Sequence, residues 1–150
     1  GTATFVRALN IGGAGASGNV LRLSLLPRNV TTALAMAIAS IIGGDLAITA
    51  SVVVLTGIIG ATFGGRLLTK MGVKDPVSRG LGIGSAAQGL GVASFVNEKD
   101  AFPFAAIAMV LTAVAATTLV SIPAIRDTLI AIATGPSTIS AVTDAAAASL

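Results

Sequence analysis

The chain has 150 residues, of which 54% are apolar and only 10% charged, with a net charge of +3 and a mean hydropathy of +0.95. Soluble domains carry about 25% charged residues, so these charges are too few to surround a water-borne globule. Cys and His are both absent, which excludes disulfides, thiol catalysis, Cys/His zinc sites and Ser-His triads; the basic residues sit in short loops without stacking aromatics, which argues against nucleic acid.

Residues 1–23, GTATFVRALNIGGAGASGNVLRL, read as a linker or a short interfacial segment, with the run 10–19 flexible by composition. The chain begins without Met and without a signal sequence, and looks like a piece of a longer protein. From Leu25 the pattern becomes apolar. Residues 30–44 form a run of fifteen, whereas crossing a bilayer takes about 20. Residues 46–65 hold twenty positions without a charge, a full-length span. Residues 80–96 are uncharged, rich in glycine and about one turn short. Residues 101–125 form the second long span, with Pro103 in its first turn and Pro123 at its end. Residues 128–134 read as a short surface continuation. The tail from 136 is of low complexity and is expected to be disordered. The fold class is therefore all-α: a multi-pass transmembrane domain over 24–135, with about four crossings and two short or interrupted helices.

The charges test that count. If four segments cross in alternation, Arg7, Arg22, Arg28, Arg66, Lys70, Lys74, Arg79 and Arg126 all fall on one side, facing Asp45, Glu98, Lys99 and Asp100 on the other. Eight of nine basic residues on one face is the positive-inside bias of a membrane protein. Tyr and Trp, which would form an aromatic belt, are absent. Abundant small residues suit close packing of helices in lipid.

The stretch RGLGIGSAAQGLGVAS, residues 79–94, carries five glycines between Gly80 and Gly91. GIGSAA fits the dinucleotide pattern G-x-G-x-x-A, but the segment before it, VKDPVSR, is a poor strand, so the context that the fingerprint needs is missing. Two readings stay open. One is close packing of small residues along a helix face, which offsets the cost of glycine in a helix. The other is a discontinuous helix of the kind that places carrier sites near the bilayer midplane. On that reading Ser85 and Gln88 in the third segment, with Asn29, Thr31 and Thr32 opening the first, form a substrate site. An amide buried in hydrocarbon is costly without a partner, so Gln88 should face protein, water or ligand. Asp75 and Arg79 are spaced as an i,i+4 ion pair at the surface, or as a gate or anion-attracting mouth together with Arg28. Lys70 and Lys74 read as topological only. No residue set implies a catalytic role, a metal or a cofactor.

From Leu26 to about Gly135 the chain resembles the LrgB family. LPRNVTTALAMAIASIIGG is similar to the family's P-K/R-x-V-T-x-x-x-A block, LAITASVVVLTGIIGA to its V-x-x-T-G-x-x-G span, and VKDPVSRGLGIGSAAQGLGVA to its D-P-x-A-R-G…S-H-G/A-x-G-T-A signature. AFPFAAIAMVLTAV and SIPAIRDTLIAIATG resemble the ending of plastid members, in which LrgA-like and LrgB-like parts are fused. Three positions depart: Gln88 stands where the signature has His, Val92 where Thr is frequent, and Ala33 where bacterial members often have Pro. The resemblance implies a multi-pass membrane protein with crossed, broken helices. Plastid members exchange glycolate and glycerate across the inner envelope in photorespiration; bacterial members are described as antiholin-like regulators of murein hydrolase export and lysis, and some are linked to pyruvate uptake. The implied partners are a small carboxylate substrate, the lipid bilayer, a missing N-terminal LrgA-like or LrgB half, and a further copy of the chain. Gln88 in place of His removes a titratable group but keeps a donor and an acceptor.

Overall fold

A computed structural model describes residues 16–134, together with Thr4. Six helices make up the described residues: α1 (Ala16–Ser24), α2 (Thr32–Ile42), α3 (Leu46–Lys70), α4 (Pro76–Ser94), α5 (Phe102–Ser121) and α6 (Pro123–Thr134). The tail from 136 and most of the 1–23 stretch lie outside the described residues. Ala16–Asn19, expected to be flexible for their glycine and serine, open α1 instead.

Helices α3 and α5 are long and apolar enough to cross a membrane. Asp45 starts α3 from an extended conformation, its carboxylate accepting from the Ile48 N–H at 2.8 Å. Both helices turn their large apolar side chains outward: Val54, Leu55, Ile58 and Phe63 on α3, and Val110, Leu111 and Val114 on α5, are exposed. Such faces suit hydrocarbon or further protein.

Helix α4 does not run straight. Gln88 has φ 49° and ψ −142° and divides it into two limbs, 76–87 and 89–94. Arg79 and Glu98, which a straight helix would hold about 28 Å apart, form an ion pair at 2.8 Å. A side chain on Gly91 would meet the carbonyl oxygen of Ile83 at 3.1 Å. The segment therefore folds back on itself, and both limbs open at the Lys70 end of α3. The four alternating crossings assumed from the sequence are therefore not confirmed. Glu98, Lys99 and Asp100 share an end with Arg66, Lys70, Lys74 and Arg79, whereas Arg22 closes α1 beside Ser24 and Asp45 at the opposite end of α3, so the eight basic residues do not gather on one side. The segment is short because it reverses rather than traverses. Close approach makes the reversal compact: Gly60 and Gly64 of α3 receive Ala87 and Ile83, and Gly80 and Gly84 lie against the α5 backbone at Ala101 and Ala105.

The first short segment makes a similar excursion from the opposite end. Ser24 and Asp45 meet, the Ser24 hydroxyl accepting from the Asp45 N–H at 2.7 Å. The fully buried Thr49 ties both residues together, its hydroxyl reaching the carbonyls of Ser24 at 3.1 Å and Asp45 at 2.7 Å. Between them residues 25–31 reach toward the middle of α3, and α2 returns antiparallel to α3. Gly43, at φ 80°, ends α2 in the left-handed conformation that glycine adopts without strain. At 11 residues, α2 is only about 16 Å long.

The order short helix, break, short helix, long helix is thus used twice, in opposite directions, first in α1–α3 and then in α4–α5. One core cluster gathers Leu23, Val30, Ile38, Ile42 and Val53; the other gathers Ile83, Ala87, Val92, Phe95 and Ala105. Helix α6 belongs to the first. Residues 128–134 were expected at the surface, but Ile130 and Ala133 are buried in that cluster. Pro123 explains the difference: it stops α5 by forcing Ile122 extended and then supplies the first residue of α6.

Candidate functional site

The two breaks meet. The Gln88 side chain, 6% exposed, donates from Nε2 to the backbone carbonyl of Asn29 at 2.5 Å, joining segments 59 residues apart in sequence. Around this bridge lies a cavity of about 270 Å³ lined by Thr31, Thr32, Val53, Val54, Gly57, Ala87, Gln88, Gly89 and Leu90. Its polar groups come from two helix ends, one at each break.

On one wall is the start of α2. Thr31 occupies the N-cap position with extended dihedrals, yet its side chain makes no capping hydrogen bond. The first-turn amides of a helix have no intrahelical acceptor, and together with the macrodipole they favour an anion. The hydroxyls of Thr31 and Thr32 sit beside them. On the facing wall is Gln88. A carbonyl can only accept, so the bond to Asn29 fixes which end of the Gln88 amide is nitrogen. Its Oε1 is left buried and without a donor, a costly condition for an amide oxygen.

The backbone at Gln88 makes the same point independently. A positive φ with ψ near −142° is a region that glycine enters freely and other residues enter at a cost of about 1–3 kcal/mol. Glycines lie on both sides, at Gly84, Gly89 and Gly91, but none of them takes a positive φ; among the described residues Gln88 is the one non-glycine that does. The strained position carries the amide, and the glycines serve packing.

The structure sorts the sequence-derived residues. It brings Thr31, Thr32 and Gln88 to one cavity; Asn29 meets Gln88 through its backbone carbonyl but does not line that cavity. Ser85 is set apart: its hydroxyl donates to the carbonyls of its own helix at Leu81, 2.7 Å, and Gly82, 3.3 Å. Arg28 precedes this group but does not line the cavity. Asp75 and Arg79 lie at the open end of the α4 hairpin and do not pair with each other. Asp75 is the N-cap of α4 and uses its carboxylate on the Ser78 N–H, 2.8 Å, and hydroxyl, 2.7 Å. Those bonds hold its pKa below the ordinary aspartate value, the hydroxyl bond contributing most. Arg79 reaches across the hairpin to Glu98 through two bonds of 2.8 Å, donates to the Val73 carbonyl at 3.0 Å, and lies over the Phe95 ring. Its donors are committed to clasping the limbs together rather than exposed as an anion-attracting mouth. The same pairing lowers the pKa of the Glu98 carboxyl.

Sequence reasoning missed the apolar walls at Val53, Val54 and Leu90, and missed Glu98 as the partner of Arg79. Both depend on the reversal of α4. Among the described residues no group of His, Cys, Asp or Glu could hold a metal ion.

Fold and site define a class: among the described residues, an all-helical protein with two helices of membrane-crossing length and a largely apolar cavity, with a few polar groups, where interrupted helices meet. The chain belongs to the LrgB-like family, whose model matches residues 2–125. It is 45% identical over 114 residues to plastidal glycolate/glycerate translocator 1, chloroplastic, of Arabidopsis thaliana, a match covering 75% of this chain and 22% of that protein. It is 37% identical over 100 residues to antiholin-like protein LrgB of Bacillus mycoides, covering 67% of this chain and 43% of the relative. Holin-like protein CidB of Staphylococcus epidermidis is 34% identical over 101 residues, 67% of this chain and 44% of CidB. The chain thus spans less than half the length of these curated relatives. No solved structure matches it. These relatives are named as transporters or as holin- or antiholin-like membrane proteins, in keeping with a chain that is not an enzyme.

Proposed function

We propose that the chain is part of a multi-pass membrane carrier for small hydroxycarboxylates of the glycolate and glycerate type. The observation that carries this reading is Gln88: buried, held at a glycine-like backbone conformation, and left with an unpartnered oxygen at a cavity that also receives the uncapped start of α2. Interrupted helices from two oppositely directed units, meeting near the middle of a long apolar helix, are the arrangement by which secondary carriers hold a substrate at the bilayer midplane. An anionic carboxylate suits the α2 amides and the Thr31 and Thr32 hydroxyls. A hydroxyl suits the Gln88 oxygen. The translocator named among the relatives supports the same substrate class.

On this reading the remainder of the protein, an LrgA-like or further LrgB part, packs against the exposed apolar faces of α3 and α5 together with lipid, and further copies of the chain assemble beside it. The host membrane is the chloroplast inner envelope in a plant or alga and the plasma membrane in a bacterium. The 24–135 segment forms the transmembrane domain. Exchange of labelled glycolate for internal glycerate, in proteoliposomes holding the full-length protein, tests the proposal. Saturable exchange that Gln88→Leu abolishes, with membrane insertion intact, is the expected result. Correctly folded protein that shows no saturable uptake overturns it. The names of the LrgB and CidB relatives favour the alternative, an antiholin-like regulator of murein hydrolase export and lysis; that role predicts altered permeability or lysis without stereospecific uptake.

A further inference from the structure

We infer that a groove at the Lys70 end of α3 binds an anionic phospholipid, with the headgroup phosphate on Arg66 and Lys70 and an acyl chain along the adjoining apolar row of α3. The inference needs only that the chain lies in a bilayer; it does not depend on what the chain carries.

The groove has a volume of about 650 Å³ and lies between the last turns of α3 and the end of the returning limb at Ser94, Phe95 and Glu98. It shares no residue with the cavity at Gln88. The Arg79–Glu98 clasp forms part of its lining but has nothing left to offer a ligand. Both Glu98 oxygens are taken by Arg79 at 2.8 Å. Arg79 uses its other donors on the Thr69 hydroxyl and on the Val73 and Gly65 carbonyls. The clasp is therefore electrically neutral. Arg66 and Lys70 are not: among the described residues neither makes a hydrogen bond or an ion pair. They stand one turn apart, about 6 Å along the axis, on one face of α3. Like charges so placed repel each other, and a phosphate held between them removes that repulsion.

The position along the helix selects a lipid rather than a soluble anion. Residues 46–65 are twenty positions without a charge, and a helix of that length extends about 30 Å, the thickness of a hydrocarbon core. Arg66 is the next residue, so it stands where lipid phosphates lie, with Lys70 one turn further out. Beside this basic row runs an apolar one: Ile59, Phe63, Leu67 and Met71 are each more than half exposed. A lipid covers both rows, whereas inorganic phosphate leaves the apolar row bare. Basic pockets between membrane helices take anionic headgroups in this way.

The hydroxyls of the groove narrow the headgroup. Thr62 donates to the Ile58 carbonyl and Ser94 to the Gly91 carbonyl, each at 2.7 Å. Their hydrogens are used, but their oxygens still accept. A headgroup that carries hydroxyls beside its phosphate, such as glycerol, suits them. A choline headgroup brings a quaternary ammonium toward two cations and no donor for either hydroxyl.

The test offers the full-length protein, in neutral detergent, an equal mixture of phosphatidylglycerol and phosphatidylcholine with identical acyl chains, and counts the retained lipid by native mass spectrometry. One cation near a membrane surface favours anionic lipid about fivefold, so the pair predicts a preference of about 30-fold. Arg66→Gln combined with Lys70→Gln should bring the ratio close to one. Lys74→Gln makes the same kind of charge change outside the groove and should leave most of the preference in place. Ser94→Phe fills the groove while keeping both cations and should also lower the preference. Phosphatidylglycerol should raise the Tm of the unaltered protein; inorganic phosphate and the deacylated headgroup should not. Equal retention of the two lipids overturns the inference, as does a preference that survives the paired substitution. A loss with Lys74→Gln as large as with the pair overturns it by showing a response to net charge alone. Equal stabilisation by inorganic phosphate or the deacylated headgroup overturns it by assigning the groove to a soluble anion. A protein that shows this lipid preference and no glycolate exchange overturns the carrier reading alone.

Discussion

Replacing Gly84 by Ala should destabilise the protein, whereas the same change two residues earlier should not. A Cβ at position 84 overlaps the carbonyl oxygen of Ala105 and lies 2.8 and 2.9 Å from the carbonyl carbon and Cα of that residue. These are backbone atoms of α5, with no rotamer that relieves the contact, so α4 and α5 must part. Overpacking of this kind costs about 1–3 kcal/mol. The overlap with backbone atoms belongs at the upper end of that range, and alanine returns about 1 kcal/mol of helix propensity, which leaves a net loss of about 2 kcal/mol, or on the order of 4–8 °C in Tm for a chain of this size. Gly82 faces only the tip of Leu68 at 3.9 Å, and a Cβ at Gly89 meets nothing within 4 Å. Gly82→Ala and Gly89→Ala should therefore leave Tm unchanged or raise it. The assay is the fraction of full-length protein still monodisperse on size exclusion after heating in detergent. A Gly84→Ala protein that melts with the unaltered one would refute the α4–α5 contact.

Three further outcomes follow from other parts of the fold. Spin labels at Val77→Cys and Val96→Cys, both exposed positions in a chain without native Cys, should lie well under the about 28 Å of a straight helix, and an impermeant thiol reagent should reach both from one side of the membrane; labelling from opposite sides would restore the crossing path. The Arg79–Glu98 clasp should be pH-dependent. Because its partner holds the Glu98 carboxyl below the ordinary value of 4.5, its stabilisation is complete above that value and is lost as pH falls through the lowered pKa. Glu98→Gln should flatten that acid limb of a Tm–pH profile, by no more than about 1 kcal/mol given the 40% exposure of the Glu98 side chain; an unchanged limb would show that the clasp does not stabilise. Thr49→Val removes the hydroxyl shared by the Ser24 and Asp45 carbonyls and should cost about 1–3 kcal/mol, read as a lower midpoint of thermal unfolding; no loss would mean that the knot at the mouth of the first hairpin is not held by this side chain.

Much of the helix inventory was legible because it is local. Uncharged runs gave α3 and α5, and Asp45 and the Asp75-Pro76 pair sit where helix starts are expected. The interruption in α4 was also legible, since Gln88 and Ser85 within a short glycine-rich span made a regular helix uneconomical. The direction of the chain after the break was not. Whether a segment crosses or turns back depends on contacts between distant residues: Arg79 with Glu98, Ile83 with Gly64, Ala105 with Gly84. Charge alternation could not supply this, because it assigns sides only after assuming that every segment crosses. The same limit explains the Asp75–Arg79 spacing, which suits an ion pair until Asp75 is seen as a cap outside the helix. Of the site, the polar members Thr31, Thr32 and Gln88 could be picked out as polar groups in apolar surroundings; Asn29 reaches it only through the backbone carbonyl that holds Gln88, and Ser85 failed because a serine in a helix satisfies itself on the preceding turn.

Among the described residues, the cavity wall contains no ionisable side chain: its polar members are two threonines and one amide. On the carrier reading, an anion held against these residues would keep its whole charge, since none of them can lend it a proton. Carrying one such charge through 100 mV involves about 2.3 kcal/mol of electrical work. One-way passage would then be governed by voltage as much as by concentration. A swap of one monovalent acid for another moves no net charge, so its direction is set by the two gradients alone. On the carrier reading, a neutral lining suits electrically silent exchange between compartments.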